Sequence, residues 1–389
     1  MATSEHIRLL SIDGGGLRGL SAIMVLKHIM AKINHDRADK LQPYEVFDLI
    51  GGTGVGGLIA LMLGRLHMSL DKVEEAYIEL LGKIFHSSEV VRKLSDHMSR
   101  DLDTSYEVAQ EVQALSKVEA EFRTDPVKVW LNDLFRRMRW NRDGETELLK
   151  DPDLEVPCKT YVNPSAQIPS SSNANSLYSF LTAWHTGDIS PQMLRTYRNA
   201  EYQQPEFHKL KMWEAACATV AAGPGFVPFR DEEDKHLPRH NYTKVPLQWN
   251  NPINLMFCEA QELWKDKKFL ILSIGTGAAP KGKTDLEEAF HEAEKVADVF
   301  EHMIRHQHPY YRFNVEEEMD KIGLAELQEG PEIARAVDDY LSRLTVEPRL
   351  NEYVEAIMSE ERMKGIVLKL SPIERYAAKR KLTKILQMP

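Results

Sequence analysis

Two short apolar runs that each break on glycine set the pattern of the N-terminal half. Ile7 to Ile12 ends in Asp13 and then Gly14, Gly15 and Gly16. From Gly19 to Ile33 the apolar positions Leu20, Ile23, Met24, Leu26, Ile29, Met30 and Ile33 fall at helical spacing. The pattern therefore predicts strand, glycine turn, helix. The same unit recurs where Val46 to Ile50 meets Gly51, Gly52, Thr53, Gly54, Val55, Gly56 and Gly57, followed by an apolar helix to Leu66. Ser69 reads as the N-cap of a further helix, Val73 to Phe85. Repeated strand–turn–helix units predict an α/β protein with a mostly parallel central sheet and helices on both faces.

Further along, 87–151 is polar and helical in pattern, a cover or insertion, with an amphipathic stretch from Val127 to Met138. Lys159 to Val162 reads as a strand, Pro164 to Asn175 as a Ser/Asn/Pro-rich loop, and Trp213 to Ala222 as a helix. Phe226 to Asn251 reads as a loop, and Phe269 to Ile274 as a strand ending in Gly275-Thr276-Gly277, where the sheet is expected to end. This divides the chain into an α/β domain over 1–285 and a helical C-terminal extension over 286–389, the latter closing in a basic helix from Ile373 to Gln387 with a solvated face.

Composition narrows the partners. A chain of 389 residues with 43% hydrophobic positions can bury a large core, and its formal charge of -10 is spread along the sequence. That disfavours nucleic acid and an anionic membrane surface, leaving at most peripheral membrane contact, and suits a neutral or apolar ligand. Cys158, Cys217 and Cys258 lie far apart without zinc spacing or a disulfide framework. No signal segment precedes the first strand, and Gly56 to Leu66 is about half the roughly 20 residues a membrane helix needs. The expectation is a soluble cytoplasmic protein with no metal and no cofactor. The oligomeric state is not indicated.

Consecutive glycines between a strand and a helix let backbone N–H groups converge on one spot, a site for a phosphate or a reacting oxygen. Gly14-Gly15-Gly16 lacks the GxGxxG spacing of a dinucleotide site, and no GxxxxGK[ST] occurs. Gly52-Thr53-Gly54-Val55-Gly56 has the frame of a nucleophile elbow, G-x-S-x-G, with glycine where the hydroxyl belongs. Thr53 is beside the apex, so its side chain is expected to point away. His185 and His208, each near a tryptophan, read as loop residues with packing or surface roles.

Five segments in order resemble the patatin-like phospholipase family, and within it the fungal-type members. They are Ser11 to Gly19, Phe47 to Gly57, Trp213 to Thr219, Asn250-Asn251-Pro252 and Ser273 to Gly277; Tyr311 to Val315 also fits, so the likeness covers 7–345. The resemblance implies a three-layer patatin-like fold and an oxyanion hole at Gly15 and Gly16. It also implies that Gly54 occupies the nucleophile position. Counting back six residues from Asn250 puts Lys244 at the position of the family's Asp. Asp231 to Asp234 lie nearby as an acidic surface run.

The expected site thus comprises Gly15, Gly16 and Arg18 as oxygen-binding groups, the Arg18 charge adding to the N–H donors at the helix start. Gly14, Gly54, Val55, Lys244, Trp249 and Asn250 are expected to line the ligand site, an aromatic and amides suiting an apolar molecule held by few polar contacts. Without Ser and base the oxyanion donors alone would leave only ~10³-fold acceleration of hydrolysis. The expectation is a non-hydrolytic protein acting on a terpenoid, polyketide or lipid, as a cyclase, cycloaddition catalyst or isomerase of secondary metabolism. The alternatives are a non-catalytic lipid-binding or regulatory pseudoenzyme, and a weak acyl hydrolase with a relocated dyad.

Overall fold

A computed structural model describes residues 6–15, 18–85, 129–130, 133–134, 137, 178–185, 191–197, 211–220, 242–243, 249–278, 284–316, 319 and 330–369. The strands are β1 (His6–Ile12), β2 (Leu49–Thr53), β3 (Tyr178–His185), β4 (Gln192–Arg195), β5 (Tyr242–Thr243), β6 (Lys268–Ile274) and β7 (Tyr310–Phe313). The helices are α1 (Gly19–Ile33), α2 (Pro43–Val46), α3 (Val55–Ala60), α4 (Leu70–Phe85), α5 (Met212–Val220), α6 (Ile253–Leu263), α7 (Thr284–Ile304), α8 (Gly330–Leu341) and α9 (Glu347–Lys369).

The strand order is β4-β3-β2-β1-β6-β7, with β5 on β3. β3, β2, β1, β6 and β7 are parallel, and β4 and β5 pair antiparallel with β3. Side chains alternate between the faces, as strand geometry requires. Leu10, Ile12, Ile50, Leu272 and Phe313 pack with α1, α3, α4, α5, α8 and α9 in one cluster. Leu9, Leu49, Phe180, Ile271 and Tyr310 pack with α6 and α7 in the other. The result is the expected α/β class in three layers.

Three sequence expectations are corrected. The sheet does not end at β6: β7, inside the segment read as a helical extension, pairs parallel with it, so that segment supplies a strand as well as helices. Trp184 and His185 are in strand β3, paired with Thr243 and Tyr242, not in a loop. The apolar helix after Gly54 is α3 followed by a π-helical turn over Leu61–Arg65. That turn lies beneath β3, where a Cβ on Gly64 would run into the Ser179 side chain. Ser69 does stand before α4 and its carbonyl takes the Val73 N–H. The strand read at 159–162, the loop at 164–175, most of the cover at 87–151 and the basic helix at 373–387 lie outside the described residues.

Among the described residues no helix is long and apolar enough to cross a membrane. α9 is tied to the start of β1 through Glu360, which meets His6 and the buried Arg8 at 2.8 Å each. From β1 the chain builds the sheet toward β4 on one side and returns on the other as β6. The crevice at the carboxyl ends of β1, β2 and β6 is therefore the switch point where open α/β sheets hold their ligands. The glycine loop and the Gly54 turn both emerge there.

Candidate functional site

Gly54 is the apex of the β2–α3 turn. Its φ of 57° and ψ of -124° lie where an L side chain is strained by about 1–3 kcal/mol, and glycine is not. The flanking glycines are required by close approach. A Cβ on Gly52 would stand 2.6 Å from the Gly57 nitrogen, and one on Gly56 would stand 2.5 Å from the Asp13 carbonyl oxygen. At Gly54 the space is open by contrast. A Cβ there would meet only the Gly14 Cα at 3.7 Å and the Thr219 carbonyl at 4.0 Å, which is ordinary contact. The turn has the shape of an elbow that presents a side chain to the glycine loop, and it presents none.

Thr53, beside the apex, has its hydroxyl engaged elsewhere. Its buried hydroxyl is 2.8 Å from the Thr182 hydroxyl on β3 and 3.3 Å from the Trp249 carbonyl. Thr219 on α5 faces Gly54 as well, but its hydroxyl is 3.5 Å from the Gly54 carbonyl and packed against Gly57.

The glycine loop is held from two sides. Gly14 N–H donates to the Asn250 carbonyl (3.1 Å), and Gly14 O accepts from Asn250 Nδ2 (3.2 Å) and Thr276 Oγ1 (2.6 Å). Gly15 O accepts the Arg18 N–H at 3.2 Å. Among the described residues the N–H of the half-buried Gly15 makes no hydrogen bond. A Cβ on Gly15 would collide with the Thr276 side chain, so glycine here is imposed by packing.

The sequence-expected residues are thus partly gathered. Gly14, Gly54 and Asn250 come within contact of one another and Gly15 follows in the same loop, while Val55 is half-buried and 3.1 Å from where a Gly19 Cβ would be. Trp249 adjoins through its carbonyl, and its buried indole N–H has no acceptor among the described residues. Arg18 is fully buried: its guanidinium donates to the Ala278 carbonyl and lies 5.2 Å from the centre of the Phe290 ring. These contacts tie the start of α1 to the segment after β6 and to α7. Gly16, Lys244 and His208 lie outside the described residues.

Sequence reasoning missed the support beneath the loop. Asp13 is buried and pairs with Arg312 of β7 at 2.6 Å, while Arg312 also holds Ser273 (2.8 Å) and Glu294 of α7. Burial pushes the Asp13 carboxyl up to about 6 despite the Arg312 guanidinium beside it, which lowers it. Asp13 Oδ1 has no hydrogen-bond partner among the described residues, which adds to the cost of its charge. Asn314 connects this cluster to the loop after β6, donating to Glu294 (2.9 Å) and accepting the Gly277 N–H (2.7 Å). The only sequence signal was the placement of Thr276, Asp13 and Arg312 within or beside the quoted motifs. Among the described residues no group of three His, Cys, Asp or Glu is placed to hold a metal ion.

The family model for patatin-like phospholipases matches residues 10–243, more than half of the chain. Phospholipase A I of Arabidopsis thaliana is 27% identical over 301 residues, covering 71% of this chain and 21% of its own length. Calcium-independent phospholipase A2-gamma of Homo sapiens is 27% identical over 272 residues, covering 70% of this chain and 28% of its own. The chain therefore spans only about a quarter of these relatives. The crystal structure of VipD from Legionella pneumophila overlaps with a TM-score of 0.36 at 12% identity, covering 94% of this chain and 75% of that one. With the family model spanning the glycine loop, the Gly54 turn and α5, the chain belongs to the patatin-like phospholipase family.

Proposed function

We propose that this chain binds a hydrophobic molecule bearing a carbonyl and polarises that carbonyl at the Gly15 N–H, without forming an acyl-enzyme. The observation that carries the reading is Gly54: the apex keeps the backbone shape and the open space for a side chain and has none. An ester hydrolase of this kind needs a hydroxyl there and a base to activate it. Neither Thr53 nor Thr219 supplies the hydroxyl, and Lys244, where the family likeness puts an Asp, is not a general base of that kind.

What is left favours a non-hydrolytic reaction. A fixed N–H aimed at a carbonyl stabilises charge developing on its oxygen, an effect of about 3 kcal/mol per preorganised donor. An apolar crevice that holds two reacting ends together can add roughly 7–11 kcal/mol by orientation. A terpenoid, polyketide or acyl lipid offers such a carbonyl, and the reaction class is cyclisation, cycloaddition or isomerisation, with a purely lipid-binding role as the non-catalytic limit. A second reading, weak lipid acyl hydrolysis, is supported by the relatives, which are phospholipases.

The experiment is to titrate the protein with methyl nonyl ketone and follow the Gly15 amide resonance. A downfield movement of the amide proton, as it acquires an acceptor, is expected; a ligand that binds while this amide stays put contradicts the assignment of Gly15 as the donor.

A further inference from the structure

We infer that Asn250 and Thr276 are positioning residues that aim the Gly15 N–H by anchoring the carbonyl of the preceding peptide. The inference rests on the reading of Gly15 as the donor and adds what fixes its direction. Gly14 C=O and Gly15 N–H belong to one peptide unit, which is planar and trans, so they point in opposite directions. Whatever holds the carbonyl therefore sets the line of the N–H. Here both acceptor positions of the Gly14 oxygen are used, by Asn250 Nδ2 at 3.2 Å and Thr276 Oγ1 at 2.6 Å. The N–H must then face away from those two side chains.

The anchor is itself immobilised. The Asn250 main chain takes the Gly14 N–H at 3.1 Å, so one residue clamps Gly14 at both ends. Thr276 is buried between two glycines whose amides are fixed, Gly275 on the Phe313 carbonyl (2.9 Å) and Gly277 on Asn314 Oδ1 (2.7 Å). Its hydroxyl and Cβ also occupy the space beside the Gly15 Cα, which opposes rotation of the peptide. Thr276 reaches this place through the β1–β6 register, which sets Ile12 against Ile274, two residues before each of the partners. Two side chains from separate segments thus converge on one backbone oxygen. That costs two ordered groups, and an unconstrained surface turn would not require them.

The test uses three variants and a matched pair of probes, methyl nonyl ketone and undecane, which share an alkyl chain and differ in the carbonyl. Thr276→Val keeps the shape and removes the hydroxyl, Thr276→Ser keeps the hydroxyl, and Asn250→Asp replaces a donor with an acceptor facing the Gly14 oxygen. In Thr276→Val and Asn250→Asp the ketone-to-alkane affinity ratio is expected to fall about fivefold from wild type, the size of one neutral hydrogen bond. In Thr276→Val undecane affinity should hold, the ketone-induced movement of the Gly15 amide should shrink in both variants, and Thr276→Ser should restore the ratio and the movement. A Gly15 amide that responds to the ketone in wild type and equally in both disabling variants overturns the positioning role alone. An amide that ignores the ketone in wild type overturns the donor assignment beneath it.

Discussion

Gly52→Ala is expected to destabilise the protein by about 3 kcal/mol, more than the same change at the strained apex Gly54. The new methyl group at Gly52 would press on the Gly56 carbonyl and stand 2.6 Å from the Gly57 nitrogen, and these are backbone atoms of the first turn of α3 that no rotamer change can move. Relief requires α3 to lift from β2, which disturbs the whole elbow. At Gly54 the methyl group meets only ordinary contacts and the cost is the backbone strain of φ 57°, about 1–3 kcal/mol. Urea unfolding of the two variants measures the order. Gly54→Ala proving the more damaging would contradict the view that the apex retains room for a side chain.

Arg312→Met should cost about 3–5 kcal/mol near pH 8, because it leaves the buried Asp13 carboxylate and Glu294 without their shared cation. The cost should shrink as pH falls. Asp13 already has a pKa raised to about 6 in the folded protein, so its favourable contribution is present at low pH and lost as pH rises through that value. Removing Arg312, which lowers that pKa, raises it further. The variant therefore loses most where Asp13 must be ionised and less near pH 5, where the folded carboxyl is protonated in both proteins. Unfolding curves at about pH 8 and about pH 5 decide this, and a penalty that grew toward low pH would show that Asp13 is not the group responsible.

The parts of the fold that were legible in the sequence are those where burial and glycine coincide locally. β1, α1, β2, α5 and β6 each combine an apolar run or helical spacing with a glycine break, and the structure has them at those places. β3 and β7 were not legible, for a physical reason. β3 carries Ser179 and Thr182 inside the sheet, satisfied by Thr196 and Thr53 from other segments, so its polar positions look exposed until the partners are known. β7 is four residues long and contains Arg312, whose charge is accommodated by an aspartate 299 positions away. Pairing at that separation leaves no periodic trace. The same holds for the site: the glycines announce the loop, whereas the use of Asn250 and Thr276 on a single carbonyl depends on strand register.

Arg18 shows the limit of reasoning from spacing alone. Its position directly after the glycines suggests a charge added to the oxygen site. In the fold its guanidinium is spent on the Ala278 carbonyl and the Phe290 ring, contacts that brace the loop's far side. The chemistry proposed for the crevice therefore rests on backbone N–H groups and orientation, which suits a neutral carbonyl better than a phosphate.

The central claim is that the elbow of this patatin-like chain holds no nucleophile. Its most direct test is to incubate the natural protein with a long-chain fluorophosphonate, which phosphonylates an activated serine or threonine hydroxyl, and to weigh the intact chain. An unchanged mass is predicted, since Gly54 has no hydroxyl and that of Thr53 is turned onto Thr182 and Trp249. A stoichiometric adduct would contradict the account and restore the hydrolase reading.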